Sequence, residues 1–415
     1  MRAIDCGIKL NYYSIEPISL HNSFLLSEEE LLFFRKHLHD DISKLSLQLK
    51  LTQREKEILW RISRRQKIEK KLPSFYNHIE IYYPESISLE QCSSEATALF
   101  KSSLFSGYCV LDLSAGMGVD GLFFSRHFQR TLLVEPNRSL AEITAHNLKL
   151  LAPDATVFIE KGKTAAAFLE SFSTRVDLIY VDPSRRDDTG KKVFKLQDCE
   201  PNVIDLMPQF LNLTNDVLIK TSPLLDITSV CESVRFVKNV YILSVNNECK
   251  ELLFHIEKGH LSDYQIHAVD LSRNLHFSFF AEEEKSYRAQ ECAPLQYLYE
   301  PDASLLKAGA FNMIQKNYPL YKIHQHSHLY TSSEWIPNFQ GRVFRIDGIV
   351  KPEINKIHEA ISGRQANLTI RNFPGSVAQL RKKWQLKEGG SRYLFATTLQ
   401  NEEKAVIICS KCPMR

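Results

Sequence analysis

The stretch Val110–Gly121, reading VLDLSAGMGVDG, constrains this chain more than any other. An apolar run ends in Asp112, glycines follow at 116, 118 and 121, and Leu122-Phe123-Phe124-Ser125 reads as the opening of a helix. A strand, a glycine turn and a helix start let a nucleotide approach bare backbone. Two later runs also end in an acid: Thr131-Leu132-Leu133-Val134 meets Glu135-Pro136-Asn137, and Val176-Asp177-Leu178-Ile179-Tyr180-Val181 meets Asp182-Pro183-Ser184-Arg185-Arg186. An acid about 20 residues past such a turn stands where a ribose diol is held in doubly wound sheets.

Between 108 and 257 the chain alternates short apolar runs with helical stretches. Strands are expected near 108–113, 131–135, 156–160, 176–181, 216–220, 240–245 and 251–257. This rhythm implies an α/β fold with a mainly parallel sheet covered on both faces. Only Asn246 to Lys250 separate the last two runs, too few for a crossover helix, so that pair must be antiparallel. The pieces together resemble a class I S-adenosyl-L-methionine (SAM) dependent methyltransferase with its Rossmann-like seven-stranded sheet. The DPSRR tip and the C-terminal region resemble a bacterial methyltransferase family with a ferredoxin-like insert and a THUMP-like domain, the latter a module of RNA-modifying enzymes.

The resemblance assigns roles. Gly116 and Gly118, with Ser114 and Ala115 in the same turn, would admit the methionine and ribose. Asp112 would lie near the ammonium or a structural water, Glu135 and Pro136 would take the ribose side, and either Glu160 or backbone groups the adenine. Asp182, Pro183, Ser184 and Arg185 would form the catalytic tip. Amino-group methylation usually places an aromatic at the fourth position, where this chain has Arg185. A covalent uracil mechanism needs a cysteine after the fifth strand, where this chain has Lys220-Thr221-Ser222-Pro223. That leaves transfer to an amine or ring nitrogen, with Asp182 as proton acceptor or orienter. Arg185 and Arg186 either meet a substrate phosphate or pair with Asp187, Asp188 or Asp198.

Upstream, residues 1–26 read as an arm and 27–105 as a helical domain. Ser27 with Glu30 and Thr52 with Glu55 have capping-box spacing, and 79–83 reads as a short strand. The second helix carries Arg61, Arg64, Arg65, Lys67, Lys70 and Lys71; this is either a solvated face or a phosphate-binding stripe, with Arg65 and Lys70 as its RNA contacts. Gln91, Ser94 and Glu95 are candidates for a lid over the methionine, or a simple helix cap. The methyltransferase domain is expected over 106–258, a small α+β ferredoxin-like module over 259–340, and the THUMP-like domain over 341–415. Its strands are expected at 343–349, 366–371, 391–398 and 404–409, with helices at 352–361 and 376–384.

The net charge of +3 confines any nucleic-acid surface to a local patch. Nine cysteines, mostly isolated in apolar runs, suit a reducing cytoplasm. No apolar run reaches about 18 residues and no signal-peptide pattern opens the chain. Cys409 and Cys412 form one CxxC without a second pair; His324, His326 and His328 alternate nearby, but no metal is expected. The expected activity is SAM-dependent methylation of a base nitrogen in a structured RNA such as tRNA or rRNA. The alternatives are a small-molecule or protein methyltransferase and a non-catalytic SAM- or RNA-binding protein.

Overall fold

The structure is a computed structural model that describes residues 26–48, 50–84, 86–184, 196–361 and 363–412. Among these, no helix is long and apolar enough to cross a membrane. The chain divides into two units: Met1–Lys220 with Glu232–Phe236 and His255–Gly259, and Thr221–Cys231 with Val237–Phe254 and His260–Arg415.

The first sheet contains β1 (Gly107–Asp112), β2 (Phe128–Glu135), β3 (Val157–Lys161), β4 (Leu178–Val181), β5 (Asp216–Thr221), β6 (Val237–Val245), β7 (Glu248–Glu257), β8 (Gln265–Asp270) and β9 (Leu275–Phe280), in the order 3-2-1-4-5-7-6-8-9. β1 lies between β2 and β4 and is parallel to both, with Asp112 opposite Leu133 on one side and Tyr180 on the other. Every residue of β4 is buried, as an inner parallel strand requires. The order reverses direction at β1, so the tips of β1, β2 and β4 form the crevice where doubly wound sheets bind ligands. β6 and β7 are joined by Asn246 and Asn247, both left-handed, the turn that closes an antiparallel hairpin.

The sheet has nine strands rather than the seven expected. β8 and β9, read from sequence as part of a separate module, extend the first sheet: β8 pairs parallel with β6 and antiparallel with β9. Alternation marks a strand but not the sheet that it joins. Glu282–Lys285 is the body of a helix, Ala281–Ser286, in which Glu283 accepts the N–H of Phe280 and closes the first turn.

In the first unit, Ser27 and Thr52 cap their helices through the expected boxes. Phe34 packs there against Ile58, Leu59 and Ile62. Residues 79–83 do not form a strand. The Asn147 side chain instead pairs with Tyr82, accepting its N–H (3.0 Å) and donating to its carbonyl (2.8 Å), as a ladder partner would.

The second unit holds a second sheet of β10 (Tyr297–Pro301), β11 (Tyr321–Lys322), β12 (Tyr330–Ser332), β13 (Gly341–Val350), β14 (Asn367–Arg371), β15 (Arg392–Thr398) and β16 (Lys404–Lys411), ordered 11-12-10-13-16-15-14. Only β14 and β15 run parallel. Asp302 begins the helix Ala303–Ala308 and is fully buried. Its Oδ1 accepts from Ser244 Oγ (2.6 Å), Ser304 N (2.8 Å) and Ser304 Oγ (2.7 Å). Gln340 Nε2 donates to Ala268 O and Ser304 Oγ, both at 3.0 Å, and Arg273 joins Asp270 to the carbonyl of Gly341.

Candidate functional site

The turn after β1 is tied to the tip of β2. Ala115 N donates to Val134 O (3.0 Å) and Gly116 N to Glu135 Oε2 (2.9 Å), while Asn137 N donates to Glu135 Oε1 (2.8 Å). Glu135 is 6% exposed, and burial raises its pKa against these two amide bonds. Gly116 has φ +53°, and a Cβ there would meet nothing nearer than Ser114 O at 3.9 Å, so the turn opens onto free space.

Gly118 works differently. It is left-handed at φ +73°, precedes the helix Val119–Phe124, and a Cβ would stand 2.6 Å from Thr144 Cγ2. Thr144 Oγ1 in turn donates to Gly116 O at 2.7 Å. Gly118→Ala should therefore destabilise the protein by about 2–4 kcal/mol, from left-handed strain plus overpacking, seen as a lower denaturant midpoint. An unchanged midpoint would contradict this packing.

Asp112 is 1% exposed, and its Oδ1 accepts from Ser114 N (2.9 Å) and Ser114 Oγ (3.2 Å). Burial, with Asp120 and Asp182 nearby, pushes its pKa up to about 8 against the Ser114 bonds. Ser114 Oγ also accepts from Asp182 N (2.7 Å), so one hydroxyl joins the tips of β1 and β4. Lys220, near the end of β5, donates to the Asp182 carboxylate. Ser184 exchanges backbone bonds with Glu200. Glu160 lies on β3 opposite Val134, 3.4 Å from Lys163 Nζ, and Pro136 is exposed. Arg185 and Arg186 lie outside the described residues.

Five residues that sequence reasoning passed over complete the floor of this crevice. Lys101 is fully buried, with Nζ 2.8 Å from Asp120 Oδ1 and 2.7 Å from Ser93 Oγ. Ser93 Oγ (2.7 Å) and Tyr180 OH (2.9 Å) both donate to Asp120 Oδ2. Burial opposes ionisation of Asp120, but the ammonium groups of Lys101 and Lys220 outweigh it and hold the carboxyl below the ordinary range. Lys220 is the fifth. The available signals were an acid just past the glycine turn and a lone lysine inside the helix Glu95–Ser103.

Ser94 caps that helix through Thr97 N (3.2 Å), and Glu95 accepts from Ser74 N (2.8 Å) and Ser74 Oγ (2.5 Å), so both serve local structure. Arg65 does not lie on a phosphate stripe. It is 6% exposed, with its guanidinium 4.7 Å from the Tyr76 ring centroid and 5.7 Å from that of Phe34. Arg61 and Arg64 are also buried, against Tyr82 and Trp60, so these three cations do not lie on a solvated face either, whereas Lys67 is exposed; aromatic faces take up the buried charge. Lys70 is exposed. Cys409 is buried on β16, and no cluster of three or more metal-ligating side chains occurs among the described residues.

Residues 297–339 match a family model described as a ferredoxin-like domain and 341–411 one described as THUMP domain-like. The crystal structure of a protein from Porphyromonas gingivalis W83 assigned as a methyltransferase is 28% identical and covers 94% of this chain and 100% of that one, at a TM-score of 0.81. A Pyrococcus horikoshii protein assigned as an RNA methyltransferase is 19% identical, covering 34% of this chain and 67% of that one, at a TM-score of 0.25. M. capricolum TrmK, bound to S-adenosyl-homocysteine, is 10% identical, covering 41% and 71%, at 0.32. No curated protein matches the sequence. The chain thus has the fold of the Porphyromonas gingivalis methyltransferase structure, with a helical region ahead of the sheet and ferredoxin-like and THUMP-like segments after it.

Proposed function

We propose that this protein transfers a methyl group from SAM directly to a base nitrogen of a structured RNA. One observation carries the reading: Asp112, Glu135 and Asp182 stand at the tips of three adjacent parallel strands, joined through Ser114 and Gly116.

The residues suit SAM. Gly116 leaves room beside bare backbone, the buried Asp112 offers negative charge to an ammonium, and Glu135 offers carboxylate oxygens to a ribose diol. Gly118 contributes packing, and Glu160 and Pro136 flank the adenine side. SAM supplies the electrophilic methyl group. Asp182 accepts an N–H of the target base and turns the nitrogen lone pair toward that methyl, with the Pro183 carbonyl as second acceptor. Lys220 fixes the carboxylate, and Ser114 fixes its backbone. Arg185, Arg186 and Lys70 meet RNA phosphates.

Direct transfer, without a cysteine adduct, suits the site chemistry. Burial raises the pKa of Cys92 against the pull of the nearby Lys71 ammonium and keeps it a thiol, the reverse of what a nucleophile needs.

The raised pKa of Asp112 makes a pH prediction. The cofactor-free fold binds this proton more tightly than the unfolded chain, whose carboxyl titrates near 3.8. Its contribution to stability is therefore full below that value and lost as pH rises through about 8. A cationic ligand should ionise Asp112, so SAM binding at neutral pH should release up to about one proton. Calorimetry in two buffers of different ionisation enthalpy reads this directly, and Asp112→Asn should abolish the release. Equal heats in both buffers would remove Asp112 from the ammonium site.

The function itself is tested by titration with SAM and by mass spectrometry of RNA nucleosides from cells with and without the gene. A missing methylated nucleoside in the deleted strain is expected. No SAM binding would end the methyltransferase reading. SAM binding with an unchanged nucleoside profile would transfer it to a small-molecule or protein acceptor.

A further inference from the structure

The histidines at 324, 326 and 328 do not act as a set. His324 is spent locally: Nε2 lies 3.1 Å from Glu402 Oε1, and Nδ1 accepts from His326 N at 3.0 Å. His326 and His328 instead line a cavity of about 630 Å³ in the second unit, together with Glu284, Arg288, Phe311 and Lys322. That volume lies within the range of about 300–1,000 Å³ common to small-molecule sites.

The cavity holds a buried cation that no carboxylate among the described residues contacts directly, although Glu284 and Glu291 lie close enough to favour its charge. Lys322 is 4% exposed, and its Nζ donates to two neutral acceptors, Asn312 Oδ1 (3.1 Å) and Gln325 O (3.5 Å). No carboxylate pairs with it among the described residues. The nearby Glu284 spends both oxygens on backbone, accepting from Asn312 N (2.8 and 2.9 Å) and Met313 N (2.8 Å). A buried ammonium hydrogen-bonded only to neutral groups still gains from an anion at contact distance.

The cavity also holds an unsatisfied ring nitrogen. The His328 ring stacks on Phe311 with centroids 3.7 Å apart and planes 21° from parallel. Its Nδ1 is buried without a hydrogen-bond partner, and its backbone is left-handed at φ +52°. Burial, with Lys322, Arg371 and His326 nearby, lowers its pKa to about 4, so the ring is neutral and offers a polar edge beside a flat apolar wall. Strained backbone and an orphaned polar atom persist where something else uses them.

We propose that this cavity binds a nucleotide bearing a terminal phosphate, with the phosphate at Lys322 and Arg288 and the base against the Phe311–His328 wall, paired to His328 Nδ1. The source is either a free nucleotide or the phosphorylated end of an RNA strand.

The test uses the full-length protein saturated with S-adenosyl-homocysteine, so that adenine nucleotides cannot be read through the methyltransferase site. Calorimetric titration with AMP should show one site per chain. Adenosine, lacking the phosphate, and inorganic phosphate, lacking the base, should each bind at least about 10-fold more weakly, the scale of one charge-assisted hydrogen bond. Lys322→Met should weaken AMP by a similar factor. Arg288 is exposed, so Arg288→Ala keeps the fold and reads the same phosphate contact. A 5′-phosphorylated RNA oligonucleotide that displaces AMP identifies the RNA end as the source; failure to displace it identifies the free nucleotide. No AMP binding at millimolar concentration, undiminished binding in Arg288→Ala, or phosphate binding as tightly as AMP would each overturn the assignment.

Discussion

Asp182→Ala is expected to lower kcat for methyl transfer by about 10²–10⁴-fold, the range for removing a positioned proton acceptor, with little change in SAM affinity. The separation follows from geometry. What ties this position to the cofactor turn is its backbone N–H, which donates to Ser114 Oγ and survives the substitution. What is lost is the carboxylate that Lys220 holds. Asp182→Asn keeps the shape and the Ser114 bond but replaces an acceptor oxygen with a donor, so it should be nearly as inactive. Single-turnover rates with SAM affinities measured in parallel give the comparison. Activity within 10-fold of the unmodified enzyme would take Asp182 out of the chemistry.

Lys101→Met should produce the largest loss of stability, about 3–5 kcal/mol, the scale for breaking a buried ion pair from one side. Lys101 is completely buried, and its removal leaves Asp120 with the Ser93 and Tyr180 hydroxyls and the more distant charge of Lys220. The pH dependence checks the cause. In the unmodified protein the Asp120 carboxyl is held below its ordinary pKa, so its stabilisation is present above about pH 4 and lost as pH falls. In the variant the carboxylate has no ammonium at contact distance, so the penalty should be greatest at neutral pH and shrink in acid as Asp120 takes up a proton. Adding Asp120→Asn should restore part of the loss. Urea unfolding at several pH values measures this, and a loss under about 1 kcal/mol would contradict a buried ion pair.

The parts legible in the sequence were those written locally. A strand ending in an acid before glycines, a second strand ending in an acid, and the alternation of runs are each contained in a few consecutive residues. They located β1 to β5, the tips carrying Asp112, Glu135 and Asp182, and the strands of the C-terminal segment. The illegible parts depend on residues far apart in the chain. Lys101 meets Asp120 and Tyr180 across a helix and a strand, and Lys220 reaches Asp182 from the next strand over. Arg65 looked like a surface cation because aromatic partners such as Tyr76 cannot be paired with it from spacing alone. The five residues at 79–83 alternate as a strand would, yet their ladder partner is the side chain of Asn147.

The buried bonds around Asp302 bear on how this protein can be cut. The ferredoxin-like match begins at residue 297 and ends at 339, yet Asp302 takes a hydrogen bond from Ser244 on β6, and Gln340 reaches Ala268 on β8. An excised fragment beginning at 297 would expose an acid stripped of one donor and an apolar surface once covered. Such a piece should aggregate on expression, whereas one starting before β6 keeps those partners. Family boundaries here mark inherited segments, and limited proteolysis should cut elsewhere.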